Sequence, residues 1–317
     1  MEIKNVGLYI QKDGLLSHLK EYVSEYQKIS VLADVYVFEK YRKTIVNGLR
    51  EDVQFVFDMQ DIKDCDVVVG IGGGKMMDQA KFAAHQHDAA CILVPTSPAS
   101  DAPCTSVAVI DGEYIECGCP QKVLADEVIL SQVPLRFFIS GLGDGLSTYY
   151  ESRHYKLPAS IETLCCMCKD TILKYGIQAK ADFEEGLMSE ALSKCFEAIL
   201  YMSGTAFANS GGSGAHALSY GLSKGCQKAL HGELVAFSLL IQLFMENDES
   251  IHELREFYHI VGLPCHLKDL GLDDVSDEEL LEMIDESMSK KYSMNRMPMV
   301  IQRDDVLEAI RLVDAFE

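Results

Sequence analysis

The stretch at residues 67–78, VVVGIGGGKMMD, joins a β-branched run to a glycine cluster and then to a helical pattern. Gly72, Gly73 and Gly74 would let the backbone approach an anion without a Cβ in the way, and the N–H groups and positive dipole of a helix N-terminus would then hold it. Lys75 and Asp78 complete the spacing G-x-G-G-G-K-x-x-D, which is neither G-x-G-x-x-G nor the Walker pattern. By itself, the stretch predicts either a phosphate-binding turn or a structural turn.

Three side chains in the second half of the chain are of types that bind divalent cations: Asp144, His216 and His231. A carboxylate and two imidazoles would give a metal ion three protein ligands and leave a position open for substrate, as in catalytic zinc sites. Each residue also has an ordinary interpretation, because helical histidines are commonly hydrogen-bonded core or surface residues and the aspartate could cap a helix. Neighbouring small residues would let helices converge there: Gly143, Gly145, Gly214, Ala215 and Gly232.

The elements that must position these residues change character near residue 130. Before it, short β-rich runs alternate with helical stretches, which is typical of a parallel sheet with crossover helices. Strands are predicted at 6–10, 29–33, 53–57, 66–71, 91–95 and 106–110, and helices at 15–26 and 75–85. After it, amphipathic patterns predict helices at 134–155, 161–175, 185–207, 232–246 and 277–288, the last with a capping box at Ser276.

These patterns predict an α/β domain over residues 1–131 and a helical domain over 132–317, with a binding site in the cleft between them. The chain has 317 residues, of which 48% are hydrophobic, enough for a large core. Its formal charge of −21 argues against nucleic acid, because such binding depends on Lys and Arg neutralising phosphates.

The chain has no apolar run of the roughly 18 residues that a membrane span needs, and its start does not resemble a signal peptide. We therefore expect a cytoplasmic protein without a membrane partner. Its 11 cysteines lie mostly in apolar segments, which predicts reduced thiols rather than disulfides. The C-x-x-C of Cys165 and Cys168 lies in a helical pattern without a second pair, which argues against a zinc ribbon.

In their order along the chain, these segments resemble the glycerol dehydrogenase branch of the metal-dependent, iron-containing type alcohol dehydrogenase superfamily. The resemblance covers nearly the whole chain. It implies a Rossmann-like parallel-sheet domain at the N-terminus followed by an all-α domain, a dehydroquinate synthase-like architecture. The similar segments are 70–81 (GIGGGKMMDQAK), 94–109 (VPTSPASDAPCTSVAV), 141–153, 211–222, 230–247 (LHGELVAFSLLIQLFMEN), 261–264 and 297–298.

The resemblance implies a zinc site. Asp144, His216 and His231 match the family's zinc ligands, and Thr148 stands where iron-dependent members carry a further histidine, which favours zinc over iron. Asp101, in the SDAP segment, matches a residue that contacts a substrate hydroxyl. From its surroundings alone, Asp101 could equally form an Asx turn before Pro103.

The resemblance also implies an NAD site. Asp34 matches an acid that holds the adenosine ribose, and an acid there repels a 2′-phosphate, which favours NAD over NADP. The other implied cofactor-binding positions are Gly72, Gly73, Gly74, Lys75 and Asp78 in the glycine-rich turn, Thr96 after the next strand, and Thr105 and Val107 beside the nicotinamide.

The implied reaction is hydride transfer from a secondary alcohol of glycerol, or of a similar small polyol, to NAD, in a homo-oligomer. The chain departs from the family in its shorter N-terminal half, where only a short turn fits between residues 57 and 66. Ala99 replaces a serine that contacts the cofactor, and Asp111 replaces a tyrosine.

Other functions on the same architecture remain open. Glycerol-1-phosphate dehydrogenases carry a histidine before the substrate aspartate, where this chain has Ser100. A 2-hydroxycarboxylate dehydrogenase would need a cation near the site, for which Arg153 and Lys156 are candidates. A lyase of the dehydroquinate synthase class would need several basic residues around a sugar-acid phosphate, and this acidic chain shows no such cluster near its motifs. A noncatalytic relative with the same fold is the remaining alternative.

Overall fold

The computed structural model describes residues 2–226, 228–289 and 293–316. Six of the strands in this part of the chain form one sheet in the order β1-β8-β5-β4-β2-β3, and every neighbouring pair in it is parallel. The remaining two, β6 and β7, form an antiparallel hairpin. The strands are β1 (Leu8–Lys12), β2 (Ile29–Ala33), β3 (Gln54–Val56), β4 (Val67–Gly72), β5 (Ala90–Pro95), β6 (Val107–Ile110), β7 (Glu113–Glu116) and β8 (Lys122–Asp126).

Helices cover both faces of the sheet. On one face Phe38 packs in a core with Val31, and on the other Met77 packs in a core with Leu32. The central strands β2 and β4 are buried along their whole length, as expected of parallel strands covered on both sides. The helices of this half are α1 (Leu19–Tyr22), α2 (Val35–Gly48), α3 (Gly74–Gln86) and α4 (Glu127–Leu130), with a short 3₁₀ helix at Leu15–His18 before α1.

The rest of the described chain is helical and has its own large core. A π-helical segment, Ala198–Ser203, joins α7 and α8 into one continuous rod. The core of this half is built mainly on α5, α6, α9 and α10. The helices are α5 (Leu135–Ser152), α6 (Ala159–Glu184), α7 (Glu190–Glu197), α8 (Gly204–Ser210), α9 (Gly214–Leu222), α10 (His231–Met245), α11 (Ser250–Val261), α12 (Asp277–Ser287) and α13 (Arg303–Asp314).

The fold class predicted from the sequence is confirmed, but one strand was assigned to the wrong sheet. Residues 106–110 do not join the parallel sheet, because Asp111 and Gly112 adopt positive φ angles of 51° and 79° and turn the chain into the β6–β7 hairpin. Strands β7 and β8 and helices α2, α4, α9 and α13 were not predicted. The capping box at Ser276 is present, and the short turn expected between 57 and 66 is a 3₁₀ turn at Met59–Asp61.

The predicted domain boundary at 131/132 falls between α4 and α5, and the division at that point stays a prediction. Its outer ends, residues 1 and 317, lie outside the described residues. In the described part of the chain, no helix is both long enough and apolar enough to cross a membrane.

Candidate active site between the sheet and the helices

Asp144, His216 and His231 come together although they lie on three different helices. The Oδ1 atom of Asp144 is 3.6 Å from Nε2 of His216 and 3.5 Å from Nε2 of His231, and the three ligand atoms all lie within 4.8 Å of one another. Ligand atoms about 2.0–2.2 Å from a tetrahedral zinc ion are about 3.4 Å apart. These three side chains, named the metal cluster below because they could bind a metal ion, are therefore spaced to hold one such ion.

Glycines bring these helices into contact. A Cβ on Gly141 would lie 1.9 Å from the carbonyl oxygen of Pro98, and one on Gly232 would lie 1.9 Å from that of Ser140. A Cβ on Gly143 would meet the carbonyl oxygen of Gly232 at 2.7 Å. Helix α5 thus lies directly against both the loop after β5 and the start of α10, which the glycine-rich surroundings of Asp144 suggested.

Asp144 is completely buried in the middle of α5, so it is not a helix cap. Its Oδ2 accepts a hydrogen bond of 3.0 Å from the backbone N–H of Asp101, whereas its Oδ1 has no hydrogen-bond partner among the described residues. Burial opposes its ionisation, but His216 and His231 outweigh burial and lower the pKa of the carboxyl. A buried carboxylate oxygen without a partner, aimed at two imidazole nitrogens, fits a cation between them.

Asp101 lies beside the metal cluster and is also buried. Burial and the charge of Asp144 raise the pKa of Asp101 to about 8. Its Oδ2 accepts a hydrogen bond of 3.2 Å from Ser203 Oγ, and that hydroxyl is 2.7 Å from the hydroxyl of Thr148. Asp101 makes no side-chain cap to the 3₁₀ turn that follows it, which argues against the Asx-turn interpretation.

The predicted cofactor residues gather at the carboxyl ends of neighbouring strands. Asp34 follows β2, Gly73 follows β4 and Thr96 follows β5, and the backbone N–H groups of Asp34 and Thr96 bond to the carbonyls of Ile71 and Gly72 at the end of β4. Because α2 and α3 leave toward opposite faces of the sheet, a crevice opens between their N-termini. Such crevices are where doubly wound sheets bind their ligands.

The individual glycines of this turn have different roles. A Cβ on Gly70 would lie 2.5 Å from Cβ of Ala80, and one on Gly72 would lie 2.7 Å from Cβ of Met76, so both allow close packing of α3 on the sheet. A Cβ on Gly73 would meet nothing within 4 Å. Gly73, which precedes the first residue of α3, is the glycine that faces open space.

A cavity of about 310 Å³ connects the glycine turn to the metal cluster. The hairpin β6–β7 and helix α9 face each other across it, with the rings of Tyr114 and Tyr220 5.5 Å apart. It is lined by eight of the 13 predicted site residues, and the other five lie outside its lining: Asp34, Gly72, Gly73, Thr96 and Asp144. The lining residues are Gly74, Lys75, Asp78, Ser100, Asp101, Ala102, Thr105, Val107, Val109, Tyr114, Phe207, His216, Tyr220 and His231.

Lys81 binds several groups beneath this cleft and holds them together, a role that was not predicted from the sequence. Its side chain is completely buried, and Nζ donates to the carbonyl of Ala102 at 2.9 Å, to Thr105 Oγ1 at 2.8 Å and to the carbonyl of Val107. It also pairs with Asp78 Oδ1 at 3.0 Å. Thr105, Val107 and Asp78, all predicted to bind cofactor, are therefore held by one ammonium group. Lysine three residues after an aspartate on a helix was the available signal.

The cysteines show no catalytic arrangement. All 11 are free thiols, and Cys165 and Cys168 are buried on α6. Burial raises the pKa of both thiols, which makes them poor nucleophiles and poor metal ligands.

Comparisons with known proteins find sequence similarity over nearly the whole chain. The sequence profile described as iron-containing alcohol dehydrogenase matches residues 11–134. The chain is 32% identical over 349 aligned positions to the glycerol dehydrogenase of Thermotoga maritima, covering 98% of this chain and 96% of that protein.

Solved structures are similar over the same length. A probable glycerol dehydrogenase from Sinorhizobium meliloti 1021 matches with a TM-score of 0.93 at 28% identity, covering 99% of this chain and 98% of that one. The glycerol dehydrogenase of Schizosaccharomyces pombe matches with a TM-score of 0.93 at 28% identity, covering 99% of this chain and 90% of that one.

Proposed function

The chain belongs to the iron-containing alcohol dehydrogenase family, and we propose that it transfers a hydride from a secondary alcohol of glycerol, or of a similar small polyol, to NAD in a zinc-dependent reaction. The relatives support the enzyme class, and the site residues support the choice of zinc, NAD and a polyol substrate. The observation that carries the proposal is the unpartnered Oδ1 of Asp144, which faces Nε2 of His216 at 3.6 Å and Nε2 of His231 at 3.5 Å.

Asp144, His216 and His231 would hold the zinc ion. A bound zinc ion supplies Lewis acidity, which lowers the pKa of an alcohol hydroxyl so that it ionises near neutral pH. Asp101 would accept a hydrogen bond from a second hydroxyl of the polyol, with its carboxyl oriented by Ser203. Binding the substrate at two hydroxyls fixes the carbon that loses the hydride.

Zinc is supported over iron by the surroundings of Thr148. This residue lies one helical turn after Asp144 on α5, and its hydroxyl is engaged with Ser203 at 2.7 Å. In the described residues, the cluster offers one carboxylate and two imidazoles. Three protein ligands with an open fourth position are typical of catalytic zinc.

NAD would lie along the crevice at the ends of β2, β4 and β5. The N-terminus of α3 and the open space at Gly73 would receive the pyrophosphate. Asp34 would bond the adenosine ribose, although its Oδ1 already accepts a 3.0 Å bond from the N–H of Val37 as the cap of α2. Thr96, Thr105, Val107, Lys75 and Asp78 complete the proposed cofactor site.

The charges in the cleft argue against anionic substrates. Among the described residues that line it, Lys75 is the one lysine or arginine, and it lies beside the proposed pyrophosphate position. Arg153, a candidate for binding a carboxylate, is paired with Glu246 and Asp248 instead. Apart from the proposed zinc ion, a phosphate or carboxylate on the substrate would therefore find no lysine or arginine of the described lining beside the metal cluster, which disfavours glycerol 1-phosphate and 2-hydroxycarboxylates.

A substrate comparison tests this proposal. Purified protein with added zinc and NAD is assayed by nicotinamide absorbance with glycerol, 1,2-propanediol, glycerol 1-phosphate and lactate. We expect turnover of the polyols at a kcat/KM at least tenfold above that of either anion. A preference for glycerol 1-phosphate or lactate would overturn the substrate assignment, and zinc binding without NAD binding would favour a noncatalytic relative.

A further inference from the structure

Glu151 contacts the metal cluster from the side away from the proposed ion. It lies seven residues after Asp144 on α5 and is 1% exposed. Its Oε2 is 2.5 Å from Nδ1 of His216, and its Oε1 accepts hydrogen bonds from the backbone N–H groups of Ser213 at 2.7 Å and His216 at 2.9 Å. Both oxygens of this buried carboxylate therefore contact His216 or the loop that precedes it.

These contacts determine which nitrogen of His216 carries its proton. Oε1 accepts both backbone bonds, and Oε2 lies at hydrogen-bond distance from Nδ1, so the carboxyl group acts as the acceptor toward all its neighbours and Nδ1 donates to it. The neutral ring then has its lone pair on Nε2, the nitrogen that faces Asp144 Oδ1 at 3.6 Å. A metal ion needs that lone pair.

We propose that Glu151 is a positioning residue that fixes the tautomer and orientation of His216 for metal binding. This inference rests on the proposed function, because it requires that the cluster hold an ion. Partners of this kind behind a ligand histidine orient the ring and increase its basicity, and their loss costs about 10–100-fold in metal affinity.

A purely structural role for Glu151 would be served by its bonds to the two backbone N–H groups. The Glu151→Gln variant separates the two roles, because its amide oxygen can still accept both backbone bonds while its NH₂ group faces Nδ1. An NH₂ group can only donate, so Nδ1 must then accept and the ring proton moves to Nε2. The substitution leaves side-chain volume nearly unchanged and removes the lone pair from the metal side.

The test is zinc affinity, measured on metal-stripped protein by competition with a chromophoric chelator. We expect the zinc dissociation constant of Glu151→Gln to rise about 10–100-fold over that of the unmodified chain. Gln242→Met is the matched control, because Gln242 is equally buried and its Oε1 accepts a 2.8 Å bond from the N–H of Ala215, next to His216, without touching the imidazole. That variant should lose thermal stability and keep its zinc affinity.

Failures of the two proposals are distinguishable. An unmodified chain that binds no zinc would overturn the metal site itself. An unmodified chain that binds zinc, together with a Glu151→Gln variant of equal affinity, would overturn only the role of Glu151. If that variant does not fold, ¹⁵N-histidine NMR of the zinc-loaded unmodified chain decides, because our assignment requires a proton on Nδ1 of His216 and a bare Nδ1 would contradict it.

Discussion

At the scale of single residues, the site is a concentration of buried carboxyl groups. Asp101, Asp144 and Glu151 are all buried. Asp144 faces both histidines, Glu151 contacts His216, and the backbone N–H of Asp101 bonds to Asp144. Burying a charge without a partner is costly, and burial together with the charge of Asp144 raises the pKa of Asp101 to about 8. A divalent cation at Asp144 would offset the repulsion between the carboxylates of Asp101 and Asp144, so the metal should stabilise the fold as well as serve the reaction.

Zinc should therefore raise the melting temperature of the metal-free chain. A ligand that binds only the folded state at 100 times its dissociation constant stabilises by about 2.7 kcal/mol. Differential scanning fluorimetry of chelated protein with increasing zinc measures the shift. His231→Ala, which removes one ligand from the rim of the cleft, should show little shift, and an equal shift in both proteins would place the zinc elsewhere.

Asp101→Ala should alter substrate preference more than cofactor binding. The variant lacks the acceptor for a second substrate hydroxyl. A bound zinc ion would favour the ionised form of Asp101, and a hydrogen bond to a charged group contributes about 1.5–3 kcal/mol. We expect kcat/KM for glycerol to fall about 10–100-fold, with a much smaller fall for 2-propanol, which has no second hydroxyl. The NAD dissociation constant should stay unchanged. An equal loss on both alcohols would remove Asp101 from substrate recognition.

At the scale of elements, the glycine turn between β4 and α3 combines close packing with the proposed pyrophosphate site. Gly70 and Gly72 are required by the close approach of α3, whereas Gly73 borders open space with an extended backbone that any residue can adopt. A substitution at Gly73 can therefore probe the anion site without disturbing the fold.

Gly73→Asp should retain stability and lose NAD affinity. Aspartate is a favoured residue at the position before a helix, so α3 should form normally. Its carboxylate would project toward the pyrophosphate and repel it, and we expect the NAD dissociation constant to rise at least about tenfold, or 1.4 kcal/mol. Gly73→Asn has the same size without the charge and should show a smaller rise. Unchanged NAD affinity in the aspartate variant would contradict a pyrophosphate site at the N-terminus of α3.

Lys81→Met tests whether one ammonium group holds the cleft floor together. Removing one partner of a buried ion pair costs about 3–5 kcal/mol, because Asp78 is left uncompensated. Chemical denaturation should show a loss of this size, accompanied by a higher KM for NAD as the loop from Ala102 to Val107 loosens. Lys194→Met, at an exposed pair with Glu190, should leave stability little changed. A Lys81→Met variant as stable as the original chain would contradict this role.

How far the elements could be predicted depended on the strength of local patterns. The all-buried strands β2 and β4 are continuous apolar runs, and their predicted bounds differ from the observed ones by at most one residue. Helix α2 was missed because its residues, VYVFEKYRKTIVNG, are rich in β-branched and aromatic types, and its start depends on the cap by Asp34. The hairpin was not predicted, although an Asp-Gly pair such as Asp111-Gly112 is a common two-residue hairpin turn.

At the scale of the whole molecule, the site exists only because two differently built halves meet. Asp101 comes from a loop of the sheet half, Asp144 and the histidines from helices, and Lys81 from α3 binds the loop that carries the hairpin. Residue types and glycine-rich surroundings indicated the metal ligands, and the resemblance supplied their grouping. Glu151, Lys81 and Ser203 were not foreseen, because their roles depend on contacts between residues 21 to 102 positions apart.

The most direct test is a zinc titration of catalysis. Metal-stripped protein is mixed with NAD and glycerol, and the initial rate of NADH formation is followed as zinc is added. Our account predicts no rate without metal, a linear rise to one zinc per chain and then a plateau, with no rise in His231→Ala at the same zinc concentrations. Full activity in the stripped protein, or none at any zinc concentration, would contradict it.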